Sequence, residues 1–522
     1  MAIARDAIVV RWAFVRGLAL VWFVAFASLA VQIDGLAGRD GILPAAEYLA
    51  AAHKALGSAA IARVPTLCWW LGAEDATLTA MCAAGEVLAL LLAFGAFPGL
   101  VSLLLWALYL SLAVACTTFL DFQWDELLLE TGWLAVFFAP WKLWAPGLCA
   151  ERPPSCVALA LLRFLLCKLM FLSGAAKLAS GDPHWRDLSA LEYHYWTTCL
   201  PTWTGWYANQ LPAWFQRGSA AGMFAVELVA PFLLFAPIRL ARVAAVASIA
   251  ALQIGIALTG NYGFFNLLTL VLCVAALDDG AVLACVPARI RALVPPPGDG
   301  APSARWRNAP ALAIAAILVP LSLAQMQARV FGHGSLPRPV LRVLVAMAPF
   351  RAVNSYGLFA TMTTHRYEIE IEGSSDGTHW RGYAFRWKPG DPARRPEFAG
   401  LHMPRLDWQM WFAVLSDWRS QTWFARFLER ILQGSPPVRR LLATDPFPDA
   451  PPRFVRAVVF DYHFASAAQH AATGAWWTRD RLGLYCPVVE RGEDGRVRIA
   501  GRGHAARRSG RRRGPRTRNE ST

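Results

Sequence analysis

The sequence has few charged residues for its length. Of its 522 residues only 16% are charged and 56% are hydrophobic, whereas a soluble globular chain carries roughly 25% charged residues. With a mean hydropathy of +0.37 and 23 Trp residues, most of the apolar surface cannot be hidden in a water-soluble core. This composition excludes a cytosolic globular enzyme and a disordered or fibrous chain, and it indicates that much of the protein faces lipid.

The sequence also lacks the cysteine spacing of a metal or redox site. Its ten cysteines include no C-x-x-C pair and no Cys/His spacing that is typical of structural zinc. We therefore predict no metal and no cofactor. Cys68, Cys199 and Cys486 lie outside the apolar runs, and a disulfide among them is left open.

The excess of positive charge is concentrated at the end of the chain. Half of the net charge of +14 comes from the last 22 residues, which contain eight Arg and one Glu. Basicity is therefore a property of a Gly- and Arg-rich tail, which we predict to be disordered from residue 491 to 522. It does not indicate a nucleic-acid partner.

What the sequence does contain is a series of long apolar segments. A membrane span needs roughly 20 mostly apolar residues, and the first 326 residues hold about nine candidates. The first is interpreted as an uncleaved span, because no small-x-small cleavage site follows it. The candidates lie near residues 12–33, 78–97, 99–119, 125–140, 157–176, 219–236, 243–259, 265–286 and 308–325.

Loop charges predict the orientation of this bundle, since short cytoplasmic loops are enriched in Lys and Arg. A cytoplasmic N-terminus places the basic loop residues inside and the long loops 35–77 and 177–218 outside. An odd number of spans then places everything after residue 326 outside. The basic loop residues are Lys142, Arg152, Arg239, Arg242, Arg289, Arg291, Arg305 and Arg307.

Residues 327–490 have the pattern of a soluble domain. Residues 367–372 alternate as a half-buried strand does, and residues 380–387 form a second strand after a turn. Residues 407–415 and 422–432 have helical spacing, and residues 454–464 return to strand-like alternation. The predicted fold is thus a polytopic α-helical membrane bundle, residues 1–326, followed by a soluble α+β or β-sandwich-like C-terminal domain.

The segment Gly373-Ser-Ser-Asp-Gly377 matches the G-x-S-x-G pattern of a hydrolase nucleophile elbow. That elbow requires a strand, a strained turn and then a helix. Here a second strand follows, so we interpret the segment as a hairpin turn and not as a catalytic site.

Ionisable residues inside apolar segments are costly and need partners. Arg163 and Lys177 are close to four helical turns apart and share a face, which carboxylates of neighbouring spans would neutralise. Pairing between helices is favoured over a transport or proton path. The other ionisable residues of this kind are Glu86, Glu130, Lys168 and Glu227.

The outward loop after the fifth apolar segment is the most unusual part of the chain. One interpretation is that Lys177 snorkels to the interface beside an aromatic belt. The other is a polar pocket at the outer mouth of the bundle, in which Lys177 and Arg186 face an anionic or carbonyl group. The candidate pocket residues are Lys177, Asp182, Trp185, Arg186, Tyr193, His194, Asn261, Tyr262 and Asn266; for Asn261 and Asn266, helix capping is the alternative.

Several stretches of the chain share the motifs of one known family, namely residues 35–44, 122–132, 177–191 with 193–195, 259–266, 354–359, 372–377 with Trp380, 395–396, 404–412 and 474–477. Together they resemble the lipase maturation factor family. The resemblance implies a multi-pass protein whose eukaryotic relatives lie in the endoplasmic reticulum (ER) membrane, keep the soluble domain in the lumen and help secreted homodimeric lipases to reach their active fold. It implies no catalytic residues. The Ala- and Arg-rich composition predicts a bacterial member, in the inner membrane with a periplasmic C-terminal domain.

A second, local resemblance covers Lys177, Leu178 and Trp185. It is to the membrane region of vitamin K-dependent gamma-glutamyl carboxylase and its bacterial relatives, where a lysine in a comparable setting acts as a base. By this resemblance Lys177 would serve as a base if burial lowered its pKa.

Two functional hypotheses follow. The favoured one is a maturation factor that is not an enzyme, contacts membrane lipids and binds secreted lipases or similar clients through exposed aromatic residues. The alternative is a membrane enzyme with a pocket around Lys177 that acts on a lipid-soluble or peptide substrate. A transporter would require internal repeats, and none is evident. The candidate client-binding residues are Trp408, Trp411, Phe412, Trp476 and Trp477.

Overall fold

The computed structural model describes residues 7–147, 153–291, 308–492 and 497–500. In these residues the N-terminal part is a bundle of nine principal helices. They are α1 (Ile8–Ala30), α2 (Asp75–Phe94), α3 (Pro98–Ala115), α4 (Gln123–Phe138), α5 (Cys156–Ala179), α6 (Ala213–Leu228), α7 (Arg239–Thr259), α8 (Phe264–Ala276) and α9 (Ala309–Phe331).

Shorter helices fill the connections of the bundle. They are Ile33–Ala37, Ala45–Leu56, Ala60–Arg63, Cys68–Leu71, Pro183–Arg186, Leu191–Thr197, Trp203–Asn209, Ala230–Leu233, Asp279–Ala284, Ala288–Arg291 and Arg338–Met347.

Six helices of the described chain are long and apolar enough to cross a membrane, namely α1, α2, α3, α5, α7 and α9. The predicted count of about nine spans is therefore not confirmed. The other three helices have 16, 16 and 13 residues, or lengths of about 20 to 24 Å at 1.5 Å per residue. A hydrocarbon core is roughly 30 Å thick. Pro231 interrupts the apolar segment that follows α6, and Asp278 and Asp279 follow α8.

The two ends of α1 contact different parts of the protein. At its N-terminal end, the backbone N–H groups of Ile8 and Val10 donate to Asp279, each at 2.9 Å, which satisfies donors that have no partner within the helix. Near its C-terminal end, Ser28 accepts a hydrogen bond from the backbone N–H of Met403 at 2.9 Å. The C-terminal domain thus packs at the end of α1 that is opposite to the N-terminus.

Three of the basic loop residues on which the predicted orientation rests, Arg152, Arg305 and Arg307, lie outside the described residues.

The C-terminal domain is built on one five-stranded antiparallel sheet in the order β2-β1-β3-β4-β5. The strands are β1 (Arg366–Ser374), β2 (Arg381–Tyr383), β3 (Phe454–Phe464), β4 (Trp477–Arg491) and β5 (Val497–Ile499), and the helices are α10 (Arg405–Ala413), α11 (Thr422–Gln433), Pro436–Arg439 and Ala467–Thr473. This confirms the predicted hairpin, both helices and the strand over residues 454–464. Because the described residues form a single sheet packed with helices, the domain is α+β and not a sandwich.

The turn between β1 and β2 has the chemistry of a hairpin. The Ser374 hydroxyl accepts a hydrogen bond from the backbone N–H of Gly377 at 2.9 Å, and Asp376 accepts from the backbone N–H groups of Thr378 and His379, each at 2.8 Å. The segment is therefore a side-chain-stabilised turn between two strands. Because β2 and not a helix follows it, the G-x-S-x-G match is a hairpin turn and not a nucleophile elbow.

The predicted start of the disordered tail, residue 491, is too early in the chain, because a further strand follows it. Residues 497–499 form β5, which pairs with β4 through Val489 and Ile499. The alternation of Val497 and Ile499 around Arg498 suits a strand at the sheet edge, and composition alone did not separate it from the Arg-rich residues that follow. Residues 493–496 and 501–522 lie outside the described part of the chain.

The C-terminal domain is joined to the bundle by a buried ion pair. Arg405, the first residue of α10, donates to Asp125 of α4 through both terminal nitrogens, at 2.5 and 2.8 Å. The hydroxyl of Tyr109 on α3 donates to the same carboxylate at 2.6 Å. Both charged side chains are essentially inaccessible to solvent. Asp125 therefore connects α3, α4 and α10 at a site where water cannot replace its partners.

A second buried carboxylate connects the two parts in the same way. Glu130 of α4 pairs with Lys168 of α5 and accepts a hydrogen bond from the hydroxyl of Tyr356 at 2.7 Å. Asn354 donates to it through its backbone and its side-chain amide, each at 3.2 Å. The predicted pairing between helices is thus confirmed for Lys168, while Arg163 donates to the carbonyls of Ala275 and Leu277.

The nine cysteines of the described residues are all free thiols, and Cys68, Cys199 and Cys486 are each buried. No disulfide joins these three residues.

We predict that Arg405→Met lowers the free energy of unfolding by about 3–5 kcal/mol, because it leaves Asp125 buried without its partner. Arg419→Met is the matched control, since Arg419 forms an exposed pair with Asp417 at 3.3 Å and should cost less than about 1 kcal/mol. Thermal unfolding of the full chain in detergent measures both. Equal losses of stability would contradict the structural role of the buried pair.

Candidate functional site

A large cavity lies at the end of the bundle that carries the outward loop. Its volume is about 410 Å³. The walls come from α5, α6, α7, α8, the helix Leu191–Thr197 and the segment around Phe359. The lining includes Leu169, Ser173, Lys177, Trp185, His194, Met223, Glu227, Gln253, Gly255, Tyr262, Asn266 and Phe359. A mostly apolar cavity with a few converging polar groups is the usual form of a small-molecule site.

The only ion pair among the lining residues is between Lys177 and Glu227. The Lys177 ammonium contacts both carboxylate oxygens of Glu227, at 2.9 and 2.8 Å, and donates to the carbonyl of Ser173 at 3.3 Å. The two side chains are 7% and 6% exposed. Lys177 therefore does not snorkel to the membrane surface as the first interpretation predicts, because a carboxylate within the bundle compensates its charge.

Trp185 packs against the Lys177 side of this pair. Its ring centroid lies 5.4 Å from the Lys177 ammonium, within the range of a cation–π interaction, and its indole N–H donates to the carbonyl of Phe359 at 2.9 Å. Trp185 thus links the Lys177 site to the segment that precedes β1.

A neutral histidine forms another part of the wall. The ring of His194 packs edge-to-face on Phe359 at 4.8 Å, and its Nε2 lies 3.4 Å from the hydroxyl of Tyr262. Burial, followed by the charge of Lys177, lowers the pKa of His194 to about 4. The imidazole is therefore uncharged near neutral pH. The Tyr262 hydroxyl also lies 2.8 Å from the Thr198 hydroxyl.

The structure brings together five of the nine predicted pocket residues, namely Lys177, Trp185, His194, Tyr262 and Asn266. The other four lie outside the lining. Arg186 is exposed and does not line the cavity, so the structure does not bring it together with Lys177 around an anionic or carbonyl group. The partner of Lys177 is Glu227, which already neutralises its charge.

Asp182, Tyr193 and Asn261 stabilise the surrounding structure. Asp182 accepts hydrogen bonds from the backbone N–H groups of His184 and Met362, each at 2.8 Å. Asn261 donates to the carbonyl of Glu397 at 2.8 Å and accepts from the backbone N–H of Ala399 at 2.7 Å. Tyr193 packs on His184. These residues anchor the loops and the C-terminal domain around the cavity.

Most of the lining residues were not identified as pocket residues from the sequence, and Glu227, Gln253 and Phe359 are three of them. The sequence marks Glu227 only as an ionisable residue in an apolar segment, and this is the feature that could have placed it beside a buried cation. Gln253 gives a similar, weaker signal as an amide within a strongly apolar helix. Phe359 gives none, because it reaches the cavity from a segment far away in the chain.

The predicted client-binding aromatic residues are mainly structural. Trp408 and Trp477 are buried, and Trp411, Phe412 and Trp476 are half-buried. Trp408 packs on Trp124 of α4 with ring centroids 4.6 Å apart, and Trp411 donates to the carbonyl of Thr197 at 3.0 Å. Trp408 and Trp477 therefore cannot present a surface to another protein, because they fill the core and the junction with the bundle.

A different apolar surface is exposed on the sheet. Leu482 and Leu484 of β4 are 56% and 49% exposed, and they line a shallow groove with Tyr367, Val459 and Trp418. We call these five residues the sheet groove. Adjacent exposed apolar residues of this kind are common at protein interaction surfaces.

Two histidines and a carboxylate also meet at the edge of β1 and β3. The candidate ligand atoms of His365, Asp461 and His463 all lie within 4.8 Å of one another. His365 Nδ1 and Asp461 are 2.8 Å apart, and the group is partly exposed. Sequence spacing did not reveal it, because His365 is 96 residues from Asp461.

Comparison with known proteins identifies relatives over most of the chain. Two family profiles match: the lipase maturation factor transmembrane domain over residues 9–284 and the lipase maturation factor C-terminal domain over residues 352–487. Lipase maturation factor 2 of Gallus gallus is 35% identical over 92% of this chain and 82% of its own length. The Homo sapiens protein of that name is 35% identical over 92% and 83%.

Lipase maturation factor 1 of Bos taurus is 32% identical over 92% of this chain and 89% of its own length. No solved structure matches the chain. These relatives are vertebrate proteins, so they do not support the predicted bacterial-type member. That prediction rested on an Ala- and Arg-rich composition, which reflects the base composition of a gene more than its lineage. The resemblance to gamma-glutamyl carboxylase is not shown by the comparisons.

We predict that Lys177→Met and Glu227→Met each lower the free energy of unfolding by about 3–5 kcal/mol, since each leaves one buried charge unpaired. The double variant should recover most of this loss, because it removes both charges and keeps the volume of the wall apolar. Thermal unfolding of the four proteins in detergent tests the coupling. A double variant no more stable than the worse single variant would contradict it.

Proposed function

Because the chain belongs to the lipase maturation factor family, we propose that it is an integral membrane maturation factor that assists the folding and assembly of secreted lipases or similar clients. The observation that carries this proposal is the match of both family domains, in order, with relatives that are named for lipase maturation. The geometry agrees with this function, since the cavity at the end of the bundle that carries the outward loop is lined by the Lys177–Glu227 ion pair and a neutral histidine.

We further propose a membrane part, residues 1–326, and an extracytoplasmic domain, residues 327–490. The positions of the two ends of α1 support this orientation without any count of spans. Ile8 and Val10 lie at one end of a helix that is long enough to cross the membrane, and Ser28 contacts the C-terminal domain near the other. If the basic loops are cytoplasmic, this domain faces the ER lumen or its equivalent. The vertebrate relatives favour the ER membrane over a bacterial inner membrane.

The alternative hypothesis, a membrane enzyme that uses Lys177 as a base, requires an unprotonated amine. The Lys177 nitrogen instead contacts both carboxylate oxygens of Glu227 and the carbonyl of Ser173, so it is held by partners within the protein and not presented to a substrate. The structure of the site therefore supports the maturation function better than the carboxylase-like chemistry.

We propose that the client docks on the sheet groove. The groove lies on the extracytoplasmic domain in the proposed orientation and exposes Leu482 and Leu484 next to Tyr367. A folding lipase offers apolar surface that an assembled lipase has buried, and adjacent apolar residues on a rigid sheet can bind such surface without specific polar pairing. Asp417 and Ser416 at the margin of the groove supply a polar rim.

The first prediction of this proposal concerns the activity of secreted lipase per lipase molecule. Deletion of the gene from its native host should lower this specific activity several-fold, and restoration of the gene should reverse the loss. The Lys177→Met/Glu227→Met variant should also restore it, because the maturation function needs no base at Lys177. Full restoration by the intact gene but none by a stably expressed double variant would favour the enzyme hypothesis. Unchanged specific activity after deletion would contradict the maturation function.

The second prediction concerns the docking surface. Leu482→Asp combined with Leu484→Asp should reduce the specific activity of lipase without destabilising the protein, since both side chains are exposed. Leu401→Asp is the matched control, because Leu401 is 42% exposed in the same domain and does not line the groove. Co-purification of newly made lipase and its specific activity measure the effect. Equal effects of the groove and control variants would exclude the groove as the docking surface.

A further inference from the structure

We propose that the cavity beside Lys177 and Glu227 binds an uncharged lipid that carries a hydroxyl group, such as a monoacylglycerol. This inference goes beyond the maturation function and is independent of it, because it concerns a ligand of the membrane part and is tested by binding alone. The physical basis is the combination of charge compensation, polar atoms without partners, and an apolar wall that opens toward lipid.

The charges of the wall exclude an anionic headgroup. Lys177 and Glu227 neutralise each other at 2.8 and 2.9 Å. His194 is neutral, and Arg186 lies on the surface away from the lining. Tyr195 and Tyr262 are the remaining titratable lining residues, and both are uncharged near neutral pH. A carboxylate or phosphate that entered would lose its hydration and find no uncompensated cation.

Polar atoms of the wall nevertheless need a partner. Gln253 Oε1, Asn266 Oδ1 and His194 Nδ1 are buried and have no hydrogen-bond partner among the described residues, and all three residues line the cavity. The amide nitrogen of Gln253 reaches only the sulfur of Met170 at 3.8 Å. Leaving such buried groups unsatisfied is costly, so a ligand that supplies hydrogen bonds is favoured.

The identity of these atoms indicates the kind of headgroup. The Gln253 and Asn266 oxygens are acceptors, and the Asn266 amide nitrogen is already used, since it donates to the carbonyl of Gln253 at 3.0 Å. The complementary ligand group is therefore a donor, and a hydroxyl is the donor that an uncharged lipid most readily provides. Two neighbouring hydroxyls, as in a monoacylglycerol, can satisfy two acceptors at once.

The rest of the wall suits a hydrocarbon tail. Leu169, Leu211, Phe215, Leu252 and Ile256 supply apolar surface. Gly255 also lines the cavity, and a Cβ added there would meet no atom within 4 Å. On the same helix, α7, Ile254 and Leu258 are exposed, as expected of a lipid-facing side of a membrane span. A tail can therefore enter from the membrane past Gly255 and place its headgroup near Gln253.

The test is photolabelling of the full chain, purified in detergent and reconstituted in phosphatidylcholine nanodiscs, with a photoactivatable alkynyl monoacylglycerol. Gly255→Phe fills the entry and should lower labelling about tenfold, which corresponds to about 1.4 kcal/mol. Gly222→Phe is the matched control, because a Cβ at Gly222 also meets no atom within 4 Å and Gly222 does not line the cavity. Unlabelled monoacylglycerol should compete, and the fatty acid with the same chain should not.

Labelled peptides should come from α5 to α8 and the Leu191–Thr197 helix. Gln253→Leu should weaken labelling by monoacylglycerol while leaving thermal stability intact, since it removes an unsatisfied amide. Equal labelling of the Gly255→Phe and Gly222→Phe variants would overturn the proposal, and so would equal competition by the fatty acid. If Gly255→Phe does not give a monodisperse protein, Ser219→Phe, at another lining residue of the cavity, serves the same comparison.

Discussion

The buried pair of Arg405 and Asp125 is the interaction on which the arrangement of the two parts depends. Neither residue can separate from the other without leaving a charge in a site that water does not reach, which makes separation of the domain from the bundle far more costly than the loss of an exposed ion pair. The same Asp125 holds Tyr109 of α3, so the position of α10 is coupled to two helices. The C-terminal domain is therefore a fixed extension of the bundle and not a module on a flexible linker.

The need to pair every buried charge also determines the chemistry of the cavity. A charge in the interior of a bundle requires a counter-charge, and Glu227 of α6 supplies it to Lys177 of α5. Because Glu227 neutralises Lys177, this part of the wall carries no net charge and offers hydrogen bonds rather than an anion site or a general base. Such a wall agrees with a membrane protein of the lipase maturation factor family.

Much of the C-terminal domain was predictable because its signals are local. Alternation over residues 367–372, turn residues at 374–377 and the helical spacing of residues 422–432 each lie within one element, and the structure places those elements there. The membrane part was less predictable in detail. Hydropathy located the helices, but the length that could cross a membrane was decided by residues such as Pro231 and Asp278, which end a helix within an apolar segment.

The sequence by itself determined that the chain is a multi-pass membrane protein with a mixed C-terminal domain, since both follow from composition and short-range periodicity. It also identified Lys177 and Glu227 as residues that need partners. Only the tertiary structure decided that they pair with each other across 50 residues, that Arg405 finds Asp125 across 280, and that Trp408 is core. Periodicity reports which face of an element is buried, whereas the partner of a buried charge is chosen by the packing of elements that are distant in the chain.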